Sequence, residues 1–110
     1  MSGFVIRPRA ARDLDAIEEC ISDPKRGGPK RARKLIDAFT SAFRLLAKMP
    51  HMGRPWHSPS PHLQGVRAWV LTGYRNYLVL YRPMKGGIEV LHVFHTAQDI
   101  PSILEFEDDK

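Results

Sequence analysis

From Gly65 onward the chain is built of three short apolar runs, each bounded by Gly or Pro. Gly65-Val66-Arg67 opens the first, and Tyr77-Leu78-Val79-Leu80-Tyr81-Arg82 forms the second. Ile88-Glu89-Val90-Leu91-His92-Val93-Phe94 is the third, and it runs on into His95-Thr96-Ala97-Gln98-Asp99. Runs of this length and composition read as neighbouring antiparallel strands. The middle run is apolar on both faces, so it is expected to be buried on both sides and central in a sheet. Met84-Lys85-Gly86-Gly87 supplies the turn into the last strand.

The first half has a different period. Phe4-Val5-Ile6 is a short β-prone run stopped by Pro8. Ala10, Leu14, Ile17 and Ile21 then recur at helical spacing, with Asp13, Asp15, Glu18 and Glu19 off the stripe. Cys20 lies in this segment and is expected to be a buried small hydrophobe rather than a nucleophile. Ser22-Asp23-Pro24 and Gly27-Gly28-Pro29 break the chain. A second helix follows, with Pro29 in its first turn and Ala32, Leu35, Ile36, Phe39, Ala42, Phe43 and Leu46 on one face. Pro50 ends it. A short Gly/Pro loop between two amphipathic helices makes an antiparallel helical hairpin.

Helices grouped ahead of a run of strands argue for an α+β fold, with the hairpin packed on one face of a small antiparallel sheet. Residues 50–64, with four prolines and three histidines, are expected to form an irregular surface connection. Thr96 to Leu104 is expected to add a short turn or helix, and residues 105–110 an acidic tail. A chain of 110 residues fits one domain, assigned to residues 1–104. No apolar run approaches the roughly 20 residues that span a bilayer. The N-terminus lacks the long apolar core of a signal peptide. The single cysteine rules out an intrachain disulfide. A cytoplasmic protein without membrane contact is the expectation.

Charge is the next constraint. The net charge of +5 is uneven: residues 1–56 carry twelve Lys/Arg and six Asp/Glu, and residues 57–110 carry five and six. Lys25, Arg26, Lys30, Arg31, Arg33 and Lys34 place six cations within ten residues, with no acid among them. Such a run suits an acidic partner, either nucleic-acid phosphates or an acidic protein segment. Its plainer reading is a solvated helix face.

The candidate chemistry is sparse. His51, His57 and His62 match no metal motif and have no cysteine pair beside them. His92 and His95 are three apart on a strand and so point to opposite faces. His95, at the strand end, is suited to proton transfer and equally suited to fixing a turn. Tyr77 and Tyr81 share a face, and like Tyr74, Trp56 and Trp69 they read first as packing. There is no phosphate-binding Gly-rich loop, nucleophile elbow or convincing acid pair. Neither metal nor cofactor is expected.

In order and spacing, these pieces resemble the ParE branch of the RelE/ParE toxin family over about residues 4–104. The matching features are Ala10…Asp13-Leu14…Ile17, Leu46…Met49-Pro50…Gly53-Arg54, Gly65-Val66-Arg67, Tyr77 to Arg82, Ile88 to Leu91, and His95 with Asp99. The resemblance implies a sheet packed on an N-terminal helical hairpin and a small antitoxin partner whose segment wraps over the toxin. It also implies one of two activities. RelE-type members cut messenger RNA on the ribosome without a metal, whereas ParE-type members block DNA gyrase.

RNA cleavage by 2′-hydroxyl attack needs a base, a stabiliser of phosphorane charge and an acid. RelE-type enzymes place an arginine within the central strand, where Leu78 stands here. They often carry a Tyr near the end of the sheet, where Thr96 stands. Only His95 remains, with Arg67 or Arg75 available to steady phosphate in a ribonuclease reading. One such group supplies only about 10²–10⁴-fold, so the sequence favours gyrase inhibition by protein–protein contact. His92 and Gln98 occupy positions where ParE relatives tend to keep arginine, which leaves a non-toxic, partner-binding member as a third reading. Contacts to antitoxin or target are expected among Arg31, Arg33, Lys34, Arg67, His92, His95 and Gln98. The groove between hairpin and sheet is expected to accept an apolar, acidic peptide.

Overall fold

The computed structural model describes residues 3–56, 61, 64–74 and 76–95. In chain order these form β1 (Gly3–Ile6), α1 (Pro8–Ser22), α2 (Gly28–Lys48), β2 (Arg54–Pro55), β3 (Arg67–Val70), β4 (Tyr77–Met84) and β5 (Gly87–His95). The sheet order is β1-β5-β4-β3-β2. The expected α+β architecture therefore holds, with both helices packed on one face and β4 in the middle of the sheet. The turn or helix expected after Thr96 and the acidic tail lie outside the described residues.

The sheet is mixed rather than antiparallel throughout. β2 with β3, β3 with β4 and β4 with β5 are antiparallel, but β1 runs parallel to β5, with Phe4 opposite Ile88 and Ile6 opposite Val90. A four-residue run such as Gly3–Ile6 carries no signal for the direction of its neighbour. Phe4 packs against Phe43 of α2, with ring centroids 5.5 Å apart, which ties the strand to the helix layer. The edge of β1 is then held to the last hairpin by Gly3 N–H donating to Gly86 O at 2.8 Å.

The helices follow their stripes. In α1, Ala10 is fully buried, and Leu14, Ile17 and Ile21 pack against the core. Pro8 occupies the first turn, where its missing N–H costs nothing. In α2, Ala32, Leu35, Phe39, Ala42, Phe43, Leu46 and Ala47 are buried. All of these but Ala32 meet Val79 and Tyr81 of β4 and Ile88, Val90 and Val93 of β5 in the main core. Full burial of each large apolar side chain there is worth about 1.5–3 kcal/mol.

Cys20 departs from expectation. It is exposed, and Arg26 Nη1 donates to its Sγ at 2.7 Å. At about 100° per residue it falls roughly 80–100° off the Ala10–Ile21 stripe. Proximity in sequence to apolar residues thus does not place it on their face.

The second face of β4 carries a separate, smaller apolar cluster. Val66, Leu80 and Phe94 form its buried centre, and Trp56, Ala68, Leu78 and Leu91 pack around them. A register shift between Leu80 and Tyr81 moves the β5 partner from His92 to Val90, leaving Leu91 as the extra residue of a bulge.

Candidate functional site

The connection after α2 begins as an irregular turn over residues 50–53 and then meets the sheet. Residues 50–56 are drawn onto the sheet, where Arg54–Pro55 pairs with Arg67 and Ala68 as β2. The central strand fixes this turn through one phenol. Tyr81 is fully buried; its hydroxyl donates to Pro50 O at 2.8 Å and accepts from Gly53 N–H at 2.8 Å. Burial pushes the Tyr81 phenol up from its ordinary value, and the Gly53 N–H and Arg67 only partly oppose that. Gly53 is required by close approach: a Cβ there would lie 2.5 Å from the Tyr81 hydroxyl and 2.9 Å from Ala68 O.

Arg67 completes the clamp. Its Nε donates to Gly53 O at 2.9 Å and one terminal nitrogen donates to His51 O at 3.0 Å. The pieces Pro50…Gly53-Arg54, Gly65-Val66-Arg67 and Tyr77 to Arg82 are far apart in sequence, yet they meet in one hydrogen-bonded unit. Sequence reading could not assign this role, because it needs Tyr81 and Arg67 to face the same turn from two strands.

The histidines diverge as expected from their spacing. His92 is 7% exposed and stacks on Phe94, with ring centroids 5.3 Å apart and planes 15° from parallel. Its Nδ1 lies 3.8 Å from Asp13 Oδ2. His95 instead meets Tyr77 edge-on at 5.2 Å, and Tyr77 in turn meets Phe39 of α2. Burial pushes the Tyr77 phenol up, with Cys20 adding to the rise and Arg31 opposing it.

Asp13 was legible only as an off-stripe acid, but it joins α1 to β5. Its Oδ2 accepts from Val93 N–H at 3.1 Å, and its Oδ1 lies 3.3 Å from Arg9 Nε. A half-buried carboxylate bonded to a strand amide is a docking contact between layers, so the first-helix pattern around Asp13 has a structural reason.

The cations of the basic run are all exposed. Lys30, Arg31 and Lys34 line an open concavity of about 660 Å³ with Gly27, Gly73 and Tyr74. Arg33 lies in another, of about 360 Å³, with Glu18, Asp37, Ser22, Pro29, Ala32 and Ile36. Arg75 and Gln98, together with His57, His62, Thr96 and Asp99, lie outside the described residues.

On the sheet face opposite the helices, Leu78 packs into the Val66–Leu80–Phe94 cluster. The nearby cation on β4, Arg82, is bound to Glu89 of β5, with Nε 2.8 Å and one terminal nitrogen 2.6 Å from Oε1. Among the described residues, no group of three or more His, Cys, Asp or Glu side chains could hold a metal ion. No helix among them is long and apolar enough to cross a membrane.

The model of the ParE toxin of type II toxin–antitoxin systems, parDE, matches residues 4–100. The chain belongs to the ParE toxin family. The match spans both helices and all five strands, so the clamp at Tyr81, the Asp13 contact and the cationic concavity all lie within the ParE domain. A solved structure, the chromosomal ParDE toxin–antitoxin system from P. aeruginosa, is similar in fold with a TM-score of 0.69 at 25% sequence identity. The similarity covers 86% of this chain and 96% of that one. No curated protein matches the chain in sequence. This is therefore a ParE-type toxin of a type II toxin–antitoxin system.

Proposed function

We propose that this ParE-family toxin inhibits DNA gyrase by protein–protein contact in the cytoplasm and is neutralised by a cognate antitoxin. The observation that carries the choice of target is Leu78. It sits in the centre of the sheet within an apolar cluster. A phosphorane accumulates negative charge, and an alkyl side chain in an apolar setting offers it no stabilisation. Arg67 directs two nitrogens at backbone carbonyls of the turn after α2, and Arg82 is engaged by Glu89. Both cations have structural work on this chain, which further weakens a ribonuclease reading. The antitoxin partner is supported by the family and by the ParDE system that the fold resembles.

Purified toxin is expected to inhibit gyrase supercoiling or to accumulate cleaved DNA complexes, and preincubation with the antitoxin encoded beside it is expected to relieve this. Primer extension after expression without antitoxin tests the competing activity. Discrete cuts within translated messages, lost on His95→Ala, would replace gyrase by the ribosome as target. Robust growth with abundant folded toxin would instead point to a partner-binding member without toxicity.

A further inference from the structure

We propose that the concavity at the N-terminal end of α2 binds a single-stranded nucleic-acid segment, with phosphates on Lys30, Arg31 and Lys34 and a base stacked on Tyr74. The proposal does not rest on gyrase being the target, because strand binding by the toxin alone is read without gyrase, although Arg31 and Lys34 are also among the expected contacts to antitoxin or target.

Its first support is charge without local compensation. Lys30, Arg31 and Lys34 line one open space of about 660 Å³, and none of its lining residues is acidic among the described residues. None of the three is in an ion pair among the described residues. Lys30 and Lys34 are four apart on the helix, a like-charge spacing that disfavours the helix by a few tenths of a kcal/mol. The first turn of α2 holds no acid and its N-cap makes no side-chain hydrogen bond. The helix dipole therefore adds to the positive potential rather than being offset. The Arg33 concavity makes the contrast: there Glu18 and Asp37 stand beside the cation.

The second support is placement. Gly27 has a φ of +145°, and a Cβ there would run into the Arg31 side chain at Cδ. The glycine lets the Arg31 stem lie against the backbone of the interhelix turn, beside the open space that Arg31 lines. Across the space, Tyr74 sits in the turn between β3 and β4, where its N–H donates to Leu71 O at 3.0 Å. Its side chain is partly buried against the core and also lines the open space.

The third support is the make-up of the lining. Among the described residues it consists of three cations, two glycines and Tyr74, the one aromatic side chain among them. A phosphodiester strand needs cations that track its backbone and an aromatic face for an unpaired base, the combination used by single-strand binders.

The test is fluorescence anisotropy of a labelled twelve-nucleotide oligothymidylate with full-length toxin, without gyrase. Binding is expected, with a log–log salt slope of about −2, as three neutralised phosphates on a single strand imply. Arg31→Glu is expected to weaken binding about tenfold or more, whereas Arg33→Glu, with the same change in net charge, should have a small effect. Tyr74→Leu, which keeps an apolar plug against the core, should lose roughly tenfold, and Tyr74→Phe should bind like the wild type. An oligouridylate should bind comparably, since the recognition is of phosphate and base face. Equal losses from Arg31→Glu and Arg33→Glu would overturn the proposal in favour of diffuse charge. So would displacement of the strand by a polyglutamate of equal charge at equal concentration, which would mark the concavity as a seat for an acidic protein segment. The two glutamate variants alter exposed side chains, so the contrast between them remains decisive even if Tyr74→Leu fails to fold. Loss of gyrase inhibition with strand binding intact would refute the proposed target and leave this site standing.

Discussion

The two faces of β4 are built from alternate residues of one short run, yet they do different work. On the helix side, Tyr77, Val79 and Tyr81 meet two helices and complete a large core. On the other side, Leu78 and Leu80 join a cluster whose members among the described residues come from the sheet and its connections, with Val66, Phe94 and Trp56. The helix side also holds the polar contacts that fix the fold: the Tyr81 hydroxyl on Pro50 and Gly53, and Asp13 on Val93. The difference teaches where polar groups in this ParE-family domain are committed. Two that the sequence marks as contact residues, Arg67 and His92, are directed at the protein's own backbone and at Asp13 respectively.

The contrast between the faces is broken most readily in the core. Phe39→Ala removes a fully buried ring at the centre of the helix side. It should cost about 3–5 kcal/mol. Leu78→Ala on the half-buried opposite face should cost at most about 2 kcal/mol. Urea unfolding of both variants checks this; equal costs would show that the second cluster is as much a core as the first.

Next is the phenol. Tyr81→Phe leaves Gly53 N–H and Pro50 O without their partner and should cost about 1–3 kcal/mol. The same hydroxyl carries a pH signature. Its folded pKa is raised above 10.0 by burial. A raised pKa means that the fold favours the protonated phenol. Its contribution is thus complete below the unfolded value and is lost as pH rises through the folded one. Stability should therefore fall above about pH 10. Tyr81→Phe should fall less steeply there; an unchanged slope would mean that Tyr81 is not the titrating group.

The smallest effect belongs to the strand-to-strand pair on β4 and β5. A double-mutant cycle on Arg82 and Glu89 should return about 0.2–1 kcal/mol, as partly exposed ion pairs do. A much larger coupling would mean that the second face relies on charge and not on its apolar cluster.

These contrasts also mark what the sequence could reveal. Periodicity located both helices, because seven apolar positions of α2 recur on one face and each is at least partly buried. It also picked out the central strand, since only a strand covered on both sides can be apolar throughout. It could not reveal that β1 lies parallel to β5, because four residues carry no directional information. It misplaced Cys20, where neighbouring apolar residues outweighed the helical angle. At the site, the spacing of His92 and His95 did foretell their divergence. Arg31, Arg33 and Lys34 are all exposed, but adjacent helix positions point about 100° apart, so they line different concavities. Lys34 joins Lys30, Arg31 and Tyr74, while Arg33 turns to Glu18 and Asp37. The roles of Asp13, Arg67 and Tyr81 depend on contacts across 14 to 80 residues, and local pattern does not register those.

The most direct test of the account is a supercoiling assay in which purified, antitoxin-free toxin is titrated into DNA gyrase beside a translation reaction programmed with a defined message. The account predicts loss of supercoiling, or trapped cleavage complexes, at toxin concentrations near that of gyrase, with the message left intact. Unimpaired supercoiling at a large excess of folded toxin, together with discrete cuts in the message that vanish with His95→Ala, would contradict it.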